Sequence, residues 1–229
     1  MRNLILSHGT RKNKTKKNLC HLPRPTTREE RILIVTHEIL FRTRITTLVG
    51  RMVALASGKG LCALEFDRPE RMALLTRRLA RWHEPHAIKE ANHPILTHTK
   101  HWLDDYFKGR FGNLKTPPLD IRGTAFEKRV WGELIKIKPG HVSSYARMAK
   151  KLGKPKIARA VGGASARNPV ALIIPCHRLV GSNGSLTGYG GGTNKKRWLL
   201  EHEKAFGQSD RKPIPKKRGS VLFPYEKVI

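Results

Sequence analysis

The chain has 229 residues, with 46 Lys or Arg against 17 Asp or Glu and a formal net charge of +29. At 38% hydrophobic residues it is globular rather than fibrous or wholly disordered, and it is long enough for one or two domains with a real core. Such an excess of positive charge points to a polyanionic partner, nucleic acid before an anionic membrane surface, and no stretch approaches the ~18–20 apolar residues of a membrane span.

Residues 1–31 hold nine Lys or Arg against two Glu and read as a flexible basic arm. Apolar density rises from about Ile32, where an α/β unit over residues 32–117 begins. Two apolar runs, 52–56 and 61–66, flank Ser57-Gly58-Lys59-Gly60 and predict an antiparallel hairpin. Leu74, Leu75, Leu79 and Trp82 predict a helix over 69–83; Leu96, Trp102, Leu103, Tyr106 and Phe107 predict another over 95–107. Pro117-Pro118 marks a junction, and a second unit follows over 118–206. Its first helix starts after Thr124, an N-cap residue, and Pro139-Gly140 stops it. Two short helices, over 144–152 and 157–166 with a Gly-containing turn between them, predict a helix-turn-helix. A last helix runs from about Asn194, and residues 207–229 form a second basic tail.

The run Ile173-Ile174-Pro175-Cys176-His177-Arg178 carries the chemistry. A thiol attacks as thiolate, and basic or cationic neighbours favour that form. Taken alone, the run fits equally well a buried core cysteine at the end of an apolar strand. The other cysteines, Cys20 and Cys62, show no disulfide spacing, which suits a reducing compartment: the cytoplasm, or the nucleus in a eukaryote. No CxxC or HExxH pair supports a dedicated zinc site.

Phe126, Val130-Trp131, Pro139-Gly140, Ser144-Tyr145, the run from Ala158 to Ala164, Asn168-Pro169, Pro175-Cys176-His177-Arg178, Gly188-Tyr189, Lys196, Trp198 and His202-Glu203 occur in that order. This set resembles the O6-alkylguanine-DNA alkyltransferases over roughly residues 40–206. The resemblance implies a small N-terminal antiparallel sheet domain of ribonuclease-H-like plan, then a mostly helical domain with a winged-helix-like helix-turn-helix. It implies direct reversal of DNA damage, in which Cys176 takes an alkyl group from guanine O6 (or thymine O4) irreversibly, once per chain.

By the same resemblance, His177 draws the thiol proton through a water and Glu203 orients His177. Tyr145 crowds the 3′ phosphate and donates to guanine N3. Arg159 enters the base stack in place of the extruded guanine, and Asn168 ties the recognition helix to the nucleophile segment. Ala158, Ala160 and Gly162 let that helix approach the minor groove closely. Backbone groups near Cys176 and Leu179 accept from the guanine amine, and amides around Tyr189 and Gly190 face O6. The partner is double-stranded DNA, with no membrane and a monomeric state. The transfer itself needs no cofactor or metal, although some relatives carry a structural zinc. Ala171 and Gly190 stand where some members have larger residues, which predicts a more open alkyl pocket. Both basic arms lie outside the resemblance and should add non-specific DNA affinity through counterion release. A different reading stays open: a non-catalytic alkylated-DNA-binding protein on the same helix-turn-helix. Relatives of that kind replace the nucleophile, so an intact Cys176 favours transfer. A basic architectural DNA protein would explain the charge but not Pro175-Cys176-His177-Arg178.

Overall fold

The computed structural model describes residues 38–205. Both basic arms lie outside the described residues.

Three strands form an antiparallel meander: β1 (Ile39–Thr47), β2 (Gly50–Ala56) and β3 (Leu61–Phe66). The predicted hairpin is the β2–β3 pair. Alternation sorts its side chains to two faces. Met52, Ala54 and Ala56 of β2 join the main core, while Val53 and Leu55 join a smaller cluster with Leu75 and Leu79. Those two leucines come from α1 (Pro69–Trp82), which starts with Pro at its first turn and covers the outer face. β4 (Ala87–Glu90) then pairs with β1 in parallel, giving the order β3-β2-β1-β4. The expected antiparallel sheet therefore carries one parallel edge strand. α2 (Pro94–Phe107) packs on the inner face and buries Leu96, Trp102, Leu103 and Tyr106.

Residues 118–120 do not leave the sheet. The Leu61 amide donates to Pro118 O and the Asp120 amide to Leu61 O, so this segment runs along β3. α3 (Ala125–Ile135) follows, opened by a full capping box in which Thr124 and Glu127 satisfy each other's backbone amides. β5 (Ser143–Ser144) leads into α4 (Tyr145–Lys151); a single 3₁₀ turn, Pro155–Ile157, then leads into α5 (Ala158–Ala166). These are the two helices of the predicted helix-turn-helix. The indole of Trp131, wholly buried in α3, donates to Ala164 O at 2.9 Å and fixes α5 against the core.

The apolar run ahead of Cys176 is not a strand. Leu64 on β3 accepts from the Ala171 amide at 2.8 Å and donates to Pro169 O at 2.9 Å, so only one residue pair is strand-like. The chain then turns over Leu172, whose φ of 70° is left-handed and costly for a branched residue. A 3₁₀ turn, Cys176–Arg178, leads to β6 (Leu179–Val180), which pairs in parallel with β5. The last helix, α6 (Thr193–His202), begins after Gly192 at φ 93°. One core runs through all of this, from Met52 and Leu64 through Leu103 and Trp131 to Val170 and Leu199.

Candidate active site

The turn after Pro169 delivers a half-buried Cys176 beside buried Asn168. Asn168 works in three directions. Its Nδ2 donates to Ile174 O at 2.7 Å and lies 3.2 Å from Cys176 Sγ, and its Oδ1 accepts from the Val170 amide at 3.0 Å. One amide side chain at the end of α5 thus holds both ends of the strained turn and reaches the sulfur. Burial pushes the Cys176 thiol up, as does the Glu65 carboxylate, while Asn168, Lys196 and Arg71 pull it down.

His177 and Glu203 meet although 26 positions apart: His177 Nε2 lies 2.8 Å from Glu203 Oε1, with both side chains fully buried. A proton on Nε2 leaves Nδ1 as the basic atom, and Nδ1 is buried with no protein partner among the described residues. Burial holds His177 below its ordinary range, against the raising effect of Glu203, so the imidazole is neutral at pH 7. Burial alone would raise Glu203, but hydrogen bonds from His177 and Arg178 outweigh it and hold its carboxyl down at about 2.

Arg178 corrects an expectation. It stands two places after Cys176, but its guanidinium turns away from the sulfur. It grips Glu203 with two bonds of 2.8 Å and also reaches Ile137 O. The cations whose fields reach Cys176 come from distant sequence: Lys196 on α6 and Arg71 on α1. Lys196 is wholly buried, donates to Thr187 O at 2.8 Å, and lies 5.8 Å above the Tyr145 ring. Burial holds its ammonium down at about 8. Lys196 belongs to the set that carries the resemblance, but nothing in the local pattern shows that it is buried. Tyr145 opens α4 half-buried, and its hydroxyl reaches the same Thr187 carbonyl at 3.3 Å.

Arg159 is exposed at the start of α5, as is Ala160, whereas Ala158 and Gly162 are half-buried. A Cβ on Gly162 would make only ordinary contact with Tyr145 at 3.8 Å. Arg147, Lys150, Lys154 and Lys156 are exposed around the same helix pair, a basic face suited to phosphates. Leu179 is buried within β6. Tyr189 points inward, 5.7 Å from Phe66 and 6.2 Å from His177, with its hydroxyl buried and without a partner among the described residues; its side chain is a wall of the site.

The expected widening at Gly190 is not what the structure has, and at Ala171 the backbone is committed to the sheet. The Ala171 amide is tied to Leu64 O in a bond that a proline would lose, and the residue is buried. A Cβ on Gly190 would come within 2.8 Å of the Arg71 guanidinium, which fills that space while paired with buried Glu65. The absent side chain is replaced by one from α1.

Among the described residues, one group has metal-ligand character: Cys62, His83 and Asp120, whose ligand atoms lie within 4.8 Å of one another. It does not fit a metal as arranged. The Cys62 thiol is pushed up to about 12 by burial. His83 lies 3.1 Å from Glu38, and Asp120 accepts from Ser57 and from Arg122, whose guanidinium already brings a positive charge there.

Two family profiles match the chain: "6-O-methylguanine DNA methyltransferase, ribonuclease-like domain" over residues 40–121 and the corresponding "DNA binding domain" over 125–205. A methylated-DNA–protein-cysteine methyltransferase of Haemophilus influenzae is 34% identical over 165 residues, covering 72% of this chain and 87% of that protein. The protein of the same name from Mycobacterium bovis is 49% identical over 108 residues, covering 47% and 65%. The crystal structure of Mycobacterium tuberculosis OGT in complex with DNA superposes with a TM-score of 0.60 at 35% identity, covering 73% of this chain and 93% of that one. No helix among the described residues is long and apolar enough to cross a membrane.

Proposed function

Because the chain belongs to the 6-O-methylguanine DNA methyltransferase family, we propose that it repairs alkylated DNA by moving the alkyl group of O6-alkylguanine onto the sulfur of Cys176. The carrying observation is the pairing of a half-buried thiol, held at 3.2 Å by Asn168, with a neutral His177 oriented by Glu203. In the reaction the thiol proton passes through a water to His177 Nδ1. The sulfur attacks the alkyl carbon, the C–S bond forms as the O6–C bond breaks, and the departing guanine takes up a proton. Tyr145 is the donor to guanine N3, for which its hydroxyl must leave Thr187 O. The thioether is not cleaved, so each chain acts once.

DNA lies against the basic face of α4 and α5, with α5 in the minor groove, where a degenerate pattern suits a protein that must not read sequence. Arg159, exposed at the leading end of α5, fills the space of the extruded base; extrusion is required because a thiol does not reach O6 inside the stack. Backbone groups of Cys176, Leu179, Tyr189 and Gly190 read the flipped guanine. The chain acts as a monomer in the cytoplasm, with arms over 1–31 and 207–229 flanking units over 32–117 and 118–206. A non-catalytic binder needs no such thiol and base.

The test is stoichiometry. With duplex DNA carrying labelled O6-methylguanine in excess, label on the protein should rise to one methyl per chain and stop. Continued turnover, or tight binding without label, would refute the proposal.

A further inference from the structure

The buried carboxylate of Glu203 has a donor that the signature residues do not include. Tyr106, on the inner face of α2, is wholly buried and its hydroxyl donates to Glu203 Oε1 at 2.6 Å. That oxygen also accepts from His177 Nε2 and Arg178 Nη2, each at 2.8 Å, while Oε2 accepts from Arg178 Nε. Three residues therefore saturate one carboxylate, and one of them comes from the sheet unit, 97 positions away. Tyr106 is itself fixed. Its ring stacks on Trp102 at 5.3 Å and meets Phe107 and Phe111 edge-on, and its carbonyl lies 2.8 Å from His202 Nε2. Such packing leaves the hydroxyl no other direction.

We infer that Tyr106 is a positioning residue for the transfer reaction: through Glu203 it fixes the orientation and limits the basicity of His177, so that the ribonuclease-like unit takes part in activating Cys176. The inference rests on the His177–Glu203 relay proposed above. Its physical basis is competition for one oxygen. Charge drawn from Oε1 by the Tyr106 hydroxyl is unavailable to the His177 N–H, and a weaker acceptor on Nε2 makes Nδ1 a weaker base. The other groups around the pair are Arg178 on Glu203, Tyr189 and Lys196 on the imidazole, His202 against the Tyr106 ring, and Cys176 itself. None of these replaces the hydroxyl, because Arg178 already uses both carboxylate oxygens.

The test is the pH profile of single-turnover methyl transfer for the full chain and for Tyr106→Phe, which keeps the ring. Without the hydroxyl, Glu203 becomes a stronger acceptor and His177 a stronger base. The imidazole then stays protonated, and unable to accept, to higher pH. The acid limb should move up by ~0.5 pH unit or more, which slows transfer by up to about threefold at pH values below the limb. A purely structural role would lower thermal stability and leave the limb in place; that result overturns the inference. Glu203→Gln separates the two layers. If it leaves both rate and limb unchanged, the relay itself fails. If it alters them while Tyr106→Phe does not, the relay stands and the role of Tyr106 falls.

Discussion

Cys62 and Cys176 are the same residue in two different surroundings. Cys62 sits within β3, almost fully buried, donating to Gly60 O at 3.5 Å, with Asp120 and Glu38 as its nearest charges. Burial and the acidic neighbours oppose ionisation and outweigh the hydrogen bonding of Ser57, so its thiol is pushed up to about 12. Cys176 sits on a strained turn, half-buried, with an amide donor at 3.2 Å and the fields of Lys196 and Arg71. Burial and the Glu65 carboxylate raise it as well, but the Asn168 amide and the Lys196 and Arg71 cations work the other way. Reactivity here is a property of what faces the sulfur, not of the thiol.

The largest effect should come from exchanging the sulfur. Cys176→Ser should abolish methyl transfer, to below a thousandth of the native rate, while gel-shift affinity for damaged duplex stays within a few-fold. Cys62→Ser should leave transfer within about twofold, since the Cys62 side chain packs with Leu75 and Leu79 on the outer face of the sheet and not against Cys176. Equal losses in both variants would erase the contrast.

Next, Arg159→Ala should slow transfer from duplex DNA by about tenfold to a hundredfold, the scale of a few kcal/mol of unstacking. Transfer from free O6-benzylguanine should stay within about twofold. Equal slowing would remove Arg159 from base extrusion and leave it a phosphate contact.

The smallest effect is in pH. A thiol raised by burial is ionised only at high pH, so the rate of alkylation of Cys176 by iodoacetamide should still climb above pH 9, where an ordinary thiol levels off. Lys196→Met removes one lowering cation and should push the climb higher. Cys62 should resist until the protein unfolds. Levelling of the Cys176 rate at pH 7 would mean a resting thiolate.

Much of this contrast was legible from residue types. Two apolar runs about a Gly-containing turn, 52–56 and 61–66, placed Cys62 in a sheet, and Thr124 marked a helix start through its capping side chain. β1 and the edge strand β4 were not legible. β1 carries Arg42 and Arg44 among its apolar residues, and β4, Ala87–Glu90, is mostly exposed, so neither shows a buried run. A parallel partner is set by what α1 brings back to the sheet. The site divided in the same way. Cys176, His177, Asn168 and Glu203 follow from resemblance, but adjacency misleads for Arg178, which serves Glu203 rather than the sulfur. Arg71, Tyr106 and the burial of Lys196 were hidden because long-range packing, not local pattern, decides which lysine is buried or where a tyrosine hydroxyl ends. Gly190 teaches the same point. Its missing side chain implied open space, and Arg71 fills that space from another helix.

The most direct measurement is peptide mapping by mass after incubation with excess O6-methylguanine duplex. The account predicts one added methyl per chain, on the peptide holding Cys176, with Cys62 unmodified however long the reaction runs. Folded protein with Cys176 unmodified, or with methyl shared between the two cysteines, would contradict it.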